Sequence, residues 1–110
     1  MTAVADLASL RDALREFARE RDWQPYHTPK NLAMAMIVEA AELVEHFQWL
    51  TPEQSLALTP GKLLEVRDEV ADTLIYLVEL ADVLGIDPIA AARDKMAKNA
   101  VKYPAPTREP

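Results

Sequence analysis

Apolar residues recur at helical spacing along most of the chain, and no segment alternates apolar and polar residues as a half-buried strand does. Three pairs, Thr28-Pro29, Thr59-Pro60 and Asp87-Pro88, have the form of an N-cap followed by proline at the first helical position. This pattern predicts an all-α fold of four helices, over about 5–22, 29–50, 60–84 and 88–103.

The connections are marked by proline and glycine. Residues 23–29 contain two prolines and are predicted to form a turn, and Thr51-Pro52 opens a connection with a short turn near 53–57. Gly85 suits the C-terminal cap of the third helix. We treat residues 1–104 as a single domain and residues 105–110 as a flexible, proline-rich tail.

Composition and charge narrow the class of protein. The chain has 110 residues, half of them hydrophobic, so it is expected to form one small packed domain that is suited to self-association. It has no cysteine, no signal-peptide pattern and no apolar run long enough to span a bilayer, which predicts a cytoplasmic protein. The net charge of −6 disfavours binding to a nucleic-acid polymer, although metal ions could bridge acidic side chains to a small polyphosphate.

The second predicted helix carries an unusual pair of acids. Residues 32–44 hold only two polar side chains, Glu39 and Glu42, in an otherwise apolar run. Their three-residue spacing places both on one helix face, and His46 and Trp49 continue the stripe. Isolated carboxylates in such a setting are costly unless something pairs with them.

The third predicted helix repeats the arrangement. Glu69, Asp72, Tyr76 and Glu79 lie at offsets of zero, three, seven and ten, among apolar residues. If the two helices form an antiparallel hairpin, the mean heights of the two acid pairs above the loop differ by roughly 3 Å. Glu39, Glu42, Glu69 and Asp72 can therefore converge on one volume.

Four converging carboxylates repel one another unless a cation lies between them. All-oxygen ligation suits Mg²⁺, with Mn²⁺ as a possible substitute, and Mg²⁺ commonly recruits phosphate oxygens. The same acids could instead form solvated helix faces with partners such as Lys30 or Arg67. A di-iron site is disfavoured because its Glu-x-x-His motif is absent.

Longer motifs resemble a known family. Glu39-x2-Glu42, 26 intervening residues and Glu69-x2-Asp72 are similar to the metal signature of the MazG-like, all-α nucleotide pyrophosphatases. The dCTP pyrophosphatase branch of that family is resembled by five runs: 17–23 (FARERDW), 27–32 (HTPKNL), 39–49 (EAAELVEHFQW), 72–77 (DTLIYL) and 95–104 (KMAKNAVKYP).

The resemblance implies a four-helix MazG-like bundle with an antiparallel central helix pair, assembled as a dimer or tetramer. It implies Mg²⁺-dependent hydrolysis of a (deoxy)nucleoside triphosphate, dCTP or a modified dCTP, to a monophosphate and pyrophosphate. Such an enzyme removes unwanted nucleotides from the pool. By the same resemblance the four acids are the catalytic metal ligands, and the nucleotide is bound by Trp23, Asn31, Trp49, Tyr76, Lys95, Asn99 and Lys102.

One position departs from the branch. The mammalian enzymes carry a base-contacting histidine nine positions before the tryptophan equivalent to Trp23, where this chain has Leu14. The preferred base therefore stays open, as do the sugar and the number of metals. Among the remaining acids, Glu45 is the strongest candidate for supporting the site, ahead of Glu79. The alternative function is a non-catalytic helical module that binds nucleotide, metal or a partner without turnover.

Overall fold

The computed structural model describes residues 3–107, and within them the protein is all-helical, as predicted. The helices are α1 (Leu7–Glu20), α2 (Pro29–Glu45), α3 (Pro52–Ser55), α4 (Pro60–Val83) and α5 (Pro88–Lys102), with a 3-10 turn at Gln24–Tyr26. The four long helices correspond to the four predicted ones, and α3 is the short turn expected after Pro52. Of the predicted tail, residues 105–107 are exposed and lack regular structure, whereas residues 108–110 lie outside the described residues.

Side-chain caps fix where the long helices begin. The Oγ1 atoms of Thr28 and Thr59 each accept a hydrogen bond at 3.2 Å, from the backbone N–H groups of Asn31 and Lys62 respectively. Asp87 caps α5 in the same way, through the N–H groups of its first turn. Each cap satisfies otherwise unpaired donors and is typically worth about 1 kcal/mol. The Xaa-Pro signals therefore predicted all three starting points.

The second helix is shorter than predicted. It ends at Glu45 rather than near Leu50, and the N–H groups of His46 and Phe47 bond three residues back, which tightens the chain into turns. The chain passes through turns over residues 46–50 before it reaches Thr51, which is extended, with ψ of 161°, as the residue before a proline prefers. Trp49 consequently lies in a turn, 87% exposed, and not on the helical stripe of the acids.

Helix α4 is the centre of the molecule. It packs mainly against α2 and, less extensively, against α1. The buried apolar residues come from these three helices: Ala18, Leu32, Val66, Val78 and Ala81. His27, just before α2, lies near Glu79, late in α4. His46, just after α2, lies near Glu69, earlier in α4. The central pair is thus antiparallel.

The chain is extended, and many of its apolar side chains are exposed. The radius of gyration is 17.6 Å, against about 13 Å for a compact domain of some 100 residues. Nearly every residue of α5 is exposed, and it makes only marginal contact with the other helices. Exposed apolar side chains form stripes on α2 and α4: Met34, Ile37, Val38 and Val44, and Leu63, Val70, Leu74 and Leu77. No helix within residues 3–107 has the length and apolar character needed to cross a membrane.

Candidate metal centre

The acids of the two central helices meet at their interface. One carboxylate oxygen from each of Glu39, Glu69 and Asp72 lies within 4.8 Å of the others. Glu42, one turn further along α2, lies outside this 4.8 Å group but near enough to raise the pKa values of Glu39 and Glu69. The antiparallel pairing of α2 and α4 therefore brings all four predicted acids into one cluster, which we call the acid cluster.

The electrostatics of the acid cluster are unfavourable in the absence of a cation. Desolvation, the hydrogen bond with Glu42 and the charges of Glu42, Asp72 and Glu69 raise the pKa of Glu39 to about 7. Desolvation and the same neighbour, Glu42, also raise the pKa of Glu69. Carboxyl groups retain protons in this way when like charges are held together and partly removed from water.

The donor set of the acid cluster fits a hard divalent cation. All four side chains offer oxygen, the ligand atom that Mg²⁺, Mn²⁺ and Ca²⁺ prefer. The Oε2 atom of Glu69 is buried and has no hydrogen-bond partner among the described residues. A buried acceptor without a partner is unusual, and a cation in the cluster would satisfy it.

His46 lies at the edge of the acid cluster. Its Nε2 atom is 4.0 Å from Oε1 of Glu69, and its Nδ1 atom is 3.9 Å from Oε2 of Glu65. Both distances are too long for hydrogen bonds. The imidazole nevertheless lowers the pKa of Glu69, against the effect of the acids. The sequence stripe associated His46 with the acids, and the structure places it beside them even though the regular helix ends at Glu45.

Tyr76 extends the site along α4. Desolvation raises the pKa of its phenol, followed by the charges of Glu39, Glu79 and Asp72. These neighbours place Tyr76 between the acid cluster and Glu79, where the helical stripe predicted it to be. Its ring is half-buried, so it can form one wall of a ligand site.

The remaining predicted ligands of the nucleotide lie elsewhere in the single chain. Trp23 is 44% exposed and packs edge-on against Phe17, with 5.6 Å between the ring centroids. The side-chain amide of Asn31 donates to the carbonyl oxygen of Tyr26 at 3.0 Å and so stabilises the turn before α2. Trp49 extends into solvent from the turn after α2.

Helix α5 carries the three remaining residues, Lys95, Asn99 and Lys102. Lys102 lies above the ring of Tyr103, with 5.3 Å between Nζ and the ring centroid. Because α5 scarcely contacts the central helix pair, the single chain does not bring these three side chains to the acid cluster.

Glu79 is more buried than Glu45, the acid that the sequence favoured as a support of the site. Glu45 was favoured over it as a supporting acid, but Glu45 is exposed, whereas the side chain of Glu79 is only 15% exposed. Its Oε2 atom is buried, has no hydrogen-bond partner within residues 3–107 and lies 3.8 Å from Nδ1 of His27. Burial raises the pKa of Glu79, and His27 opposes that change. The available signal was its offset of ten from Glu69, on the stripe of the acids.

Comparisons with known proteins agree with this architecture. Residues 34–109 match the model of the MazG-like family. The chain is 40% identical over 101 residues to human dCTP pyrophosphatase 1, covering 90% of this chain and 59% of that protein. The bovine dCTP pyrophosphatase 1 is 40% identical over 100 residues, covering 89% of this chain and 59% of the relative. The chain thus spans about three-fifths of the length of these relatives.

A solved structure extends the likeness to the whole fold. The crystal structure of a pyrophosphatase from Archaeoglobus fulgidus DSM 4304 is 44% identical in sequence and has a TM-score of 0.86. The superposition covers 96% of this chain and 98% of the archaeal one. Together with the match over residues 34–109, this shows that the chain belongs to the MazG-like family.

Proposed function

We propose that the protein is a Mg²⁺-dependent nucleoside triphosphate pyrophosphohydrolase. It cleaves the bond between the α and β phosphates of a (deoxy)nucleoside triphosphate, dCTP or a modified dCTP, and releases a monophosphate and pyrophosphate. The observation that carries this proposal is the convergence of Glu39, Glu69 and Asp72 within 4.8 Å. The names of the human and archaeal relatives, a dCTP pyrophosphatase and a pyrophosphatase, support it.

The acid cluster would hold the metal through Glu39, Glu42, Glu69 and Asp72. Mg²⁺ fits because it binds carboxylates while retaining room for water and phosphate oxygens, and Mn²⁺ would substitute for it. When bound, the cation supplies Lewis-acid polarisation of the phosphoanhydride and neutralises its charge. Without a cation, four carboxylates would repel a triphosphate, so the chain depends on metal to bind its substrate.

The protein's own groups perform the remaining tasks. Glu39 holds a proton at its carboxyl group near pH 7 and gives it up when the site is loaded. His46 places a ring nitrogen next to Glu69 at the edge of the cluster. Tyr76 borders the cluster on the side away from His46, where it would contact the sugar, and Trp23 and Trp49 stay predicted contacts of the nucleotide.

A second copy of the chain would complete the site. The cationic and amide side chains expected at the phosphates, Lys95, Lys102 and Asn99, lie on the exposed helix α5. The apolar stripes of α2 and α4 are the kind of surface that self-association buries. We therefore infer a homo-oligomer, a dimer or a tetramer, in which α5 of one subunit reaches the acid cluster of another. A nucleotide substrate also implies a cytoplasmic location and a role in cleaning the nucleotide pool.

Pyrophosphate release tests the proposal directly. Purified protein is incubated with dCTP, 5-methyl-dCTP, dUTP, dTTP and ribonucleotides, with Mg²⁺ or with excess chelator. We expect Mg²⁺-dependent release of pyrophosphate from at least one nucleotide and its loss in Glu42→Gln. Asp68→Asn, which changes an exposed carboxylate on the same helix α4, is the matched control. If no nucleotide is cleaved, the protein is a non-catalytic binding or interaction module.

A further inference from the structure

A cavity of about 300 Å³ lies between α1 and α4, separate from the acid cluster. This volume is at the lower end of the range for small-molecule sites, so it suits a ligand fragment such as a nucleobase. Part of its wall is apolar, and part carries hydrogen-bonding groups. The lining residues that matter here are Leu14, Val78 and Val83, and Gln24, His27 and Glu79.

The polar part of the wall has unused hydrogen-bonding capacity. Oε2 of Glu79 is buried and has no partner among the described residues. The nearest nitrogen, Nδ1 of His27, is 3.8 Å away, beyond hydrogen-bonding distance. An acceptor oxygen and an imidazole nitrogen thus lie side by side without bonding to each other. Because an unsatisfied buried acceptor is costly, a ligand that donates a hydrogen bond to it would bind favourably.

The cavity lies at a suitable distance from the metal site. Glu79 follows Asp72 by seven residues on the uninterrupted helix α4, which separates them by about 10 Å along the axis. Tyr76 lies between them, and the charges of both carboxylates raise the pKa of its phenol. A nucleotide with its phosphates at the acid cluster would therefore pass Tyr76 and direct its base towards the cavity.

The carboxylate of Glu79 and the imidazole of His27 together suit a base that carries an amino group. Cytosine presents an exocyclic amino donor, N4, next to a ring acceptor, N3, and carboxylates characteristically accept from N4. Uracil and thymine present a carbonyl oxygen at the corresponding position, where it would face the carboxylate oxygen of Glu79. The apolar wall formed by Leu14, Val78 and Val83 would pack against the faces of the ring.

We propose that Glu79, together with His27, selects a base with an amino group: Oε2 of Glu79 accepts from N4 of cytosine while the His27 imidazole donates to N3. This inference rests on the proposed function, because it places the phosphates of the same nucleotide at the acid cluster. It assigns base selection to α4 and to the turn before α2, while Leu14 on α1 contributes only apolar contact.

The first experiment compares kcat/KM for dCTP and dUTP. The wild type should prefer dCTP by at least about tenfold in kcat/KM. This ratio corresponds to about 1.4 kcal/mol, the contribution of one well-formed hydrogen bond. Glu79→Gln should bring the ratio close to one, because an amide can both accept from an amino group and donate to a carbonyl oxygen. Glu20→Gln, an exposed acid on α1, is the matched control and should leave the ratio unchanged. A wild type that prefers dUTP, or an unchanged ratio in Glu79→Gln, would overturn the proposal.

The second experiment does not depend on turnover. Calorimetric titration with dCMP and dUMP should show dCMP binding about tenfold more tightly, and Glu79→Gln should remove that difference. If no triphosphate is hydrolysed but this Glu79-dependent difference persists, the enzymatic proposal fails and the base-selecting role stands. If hydrolysis proceeds while neither the dCMP preference nor the kcat/KM ratio responds to Glu79→Gln, the base-selecting role fails alone.

Discussion

Loading the acid cluster with a divalent cation should release a proton, and the proton should come mainly from Glu39. Its pKa of about 7 means that the metal-free site retains this proton in acid and loses it as the pH rises through neutrality. A cation binds the carboxylate form, so apparent affinity must increase with pH. For one group with this pKa, the ionised fraction rises from about 9% at pH 6 to about 91% at pH 8, so affinity should rise about tenfold.

Isothermal titration calorimetry with Mn²⁺ measures both quantities. Repeating the titration in buffers with different ionisation enthalpies gives the number of protons released per cation. We expect about half a proton at pH 7 and nearly a full proton at pH 6. Glu39→Gln removes the titrating group and should flatten the dependence on pH. Asp68→Asn alters an exposed acid of α4 and should retain it.

Two outcomes would refute this reasoning in different ways. A wild-type affinity that does not change between about pH 6 and 8, with no proton release, would show that the carboxyl groups are not held close enough to raise the pKa of Glu39. Undiminished proton release in Glu39→Gln would assign the retained proton to another member of the acid cluster.

Three further predictions concern catalysis, stability and assembly. Glu42→Gln should abolish turnover while the helical circular-dichroism signal persists, and retained activity would remove Glu42 from the site. Because the folded-state pKa of Glu39 is raised from 4.5, its proton-linked stabilisation is complete below about pH 4.5 and is lost as the pH rises through about 7. Metal-free Glu39→Gln should therefore melt above the wild type at pH 8 but not at pH 4, by scanning calorimetry, and equal melting temperatures at pH 8 would contradict this. Val38→Arg should reduce the molar mass measured by light scattering, and an unchanged mass would exclude the α2 stripe as an interface.

The parts of the fold that depend on local chemistry could be predicted from the sequence. The starts of three long helices followed from a capping side chain before proline, as at Thr28, Thr59 and Asp87, because the cap and the helix it serves are neighbours in the chain. The end of α2 was misplaced because apolar periodicity continues through Trp49, whereas the hydrogen bonds of His46 and Phe47 already reach only three residues back and form turns.

Only those features of the candidate site that follow from helical geometry could be predicted from the sequence. The spacing of the acids and their similar distances from the connecting loop indicated that Glu39 and Glu69 would meet. An antiparallel hairpin fixes which face of each helix meets the other and at what distance from the loop. The supporting role of Glu45 stays a prediction, but the structure exposes Glu45 and buries most of Glu79, and this difference depends on where α1 packs. Helix α1 covers the part of α4 that carries Glu79, supported by the ion pair of Arg15 with Asp82 one turn later, whereas Glu45 is exposed. The offset of ten from Glu69 places Glu79 on the stripe of the acids, but the periodicity does not show that α1 packs over it.

The continuity of α4 has a consequence for how proteins of this shape can diverge. Two acids of the acid cluster, Glu69 and Asp72, share one unbroken 24-residue helix with Glu79 at the cavity, so the distance between the two sites along α4 is fixed by the pitch of the backbone. Inserting or deleting a single residue between Asp72 and Glu79 would turn one group by about 100° relative to the other and separate the two sites. Homologues should therefore vary the residue at position 79 freely but keep the number of residues between Asp72 and position 79 constant. The preferred base would then change by substitution, while the distance between the two sites stays the same.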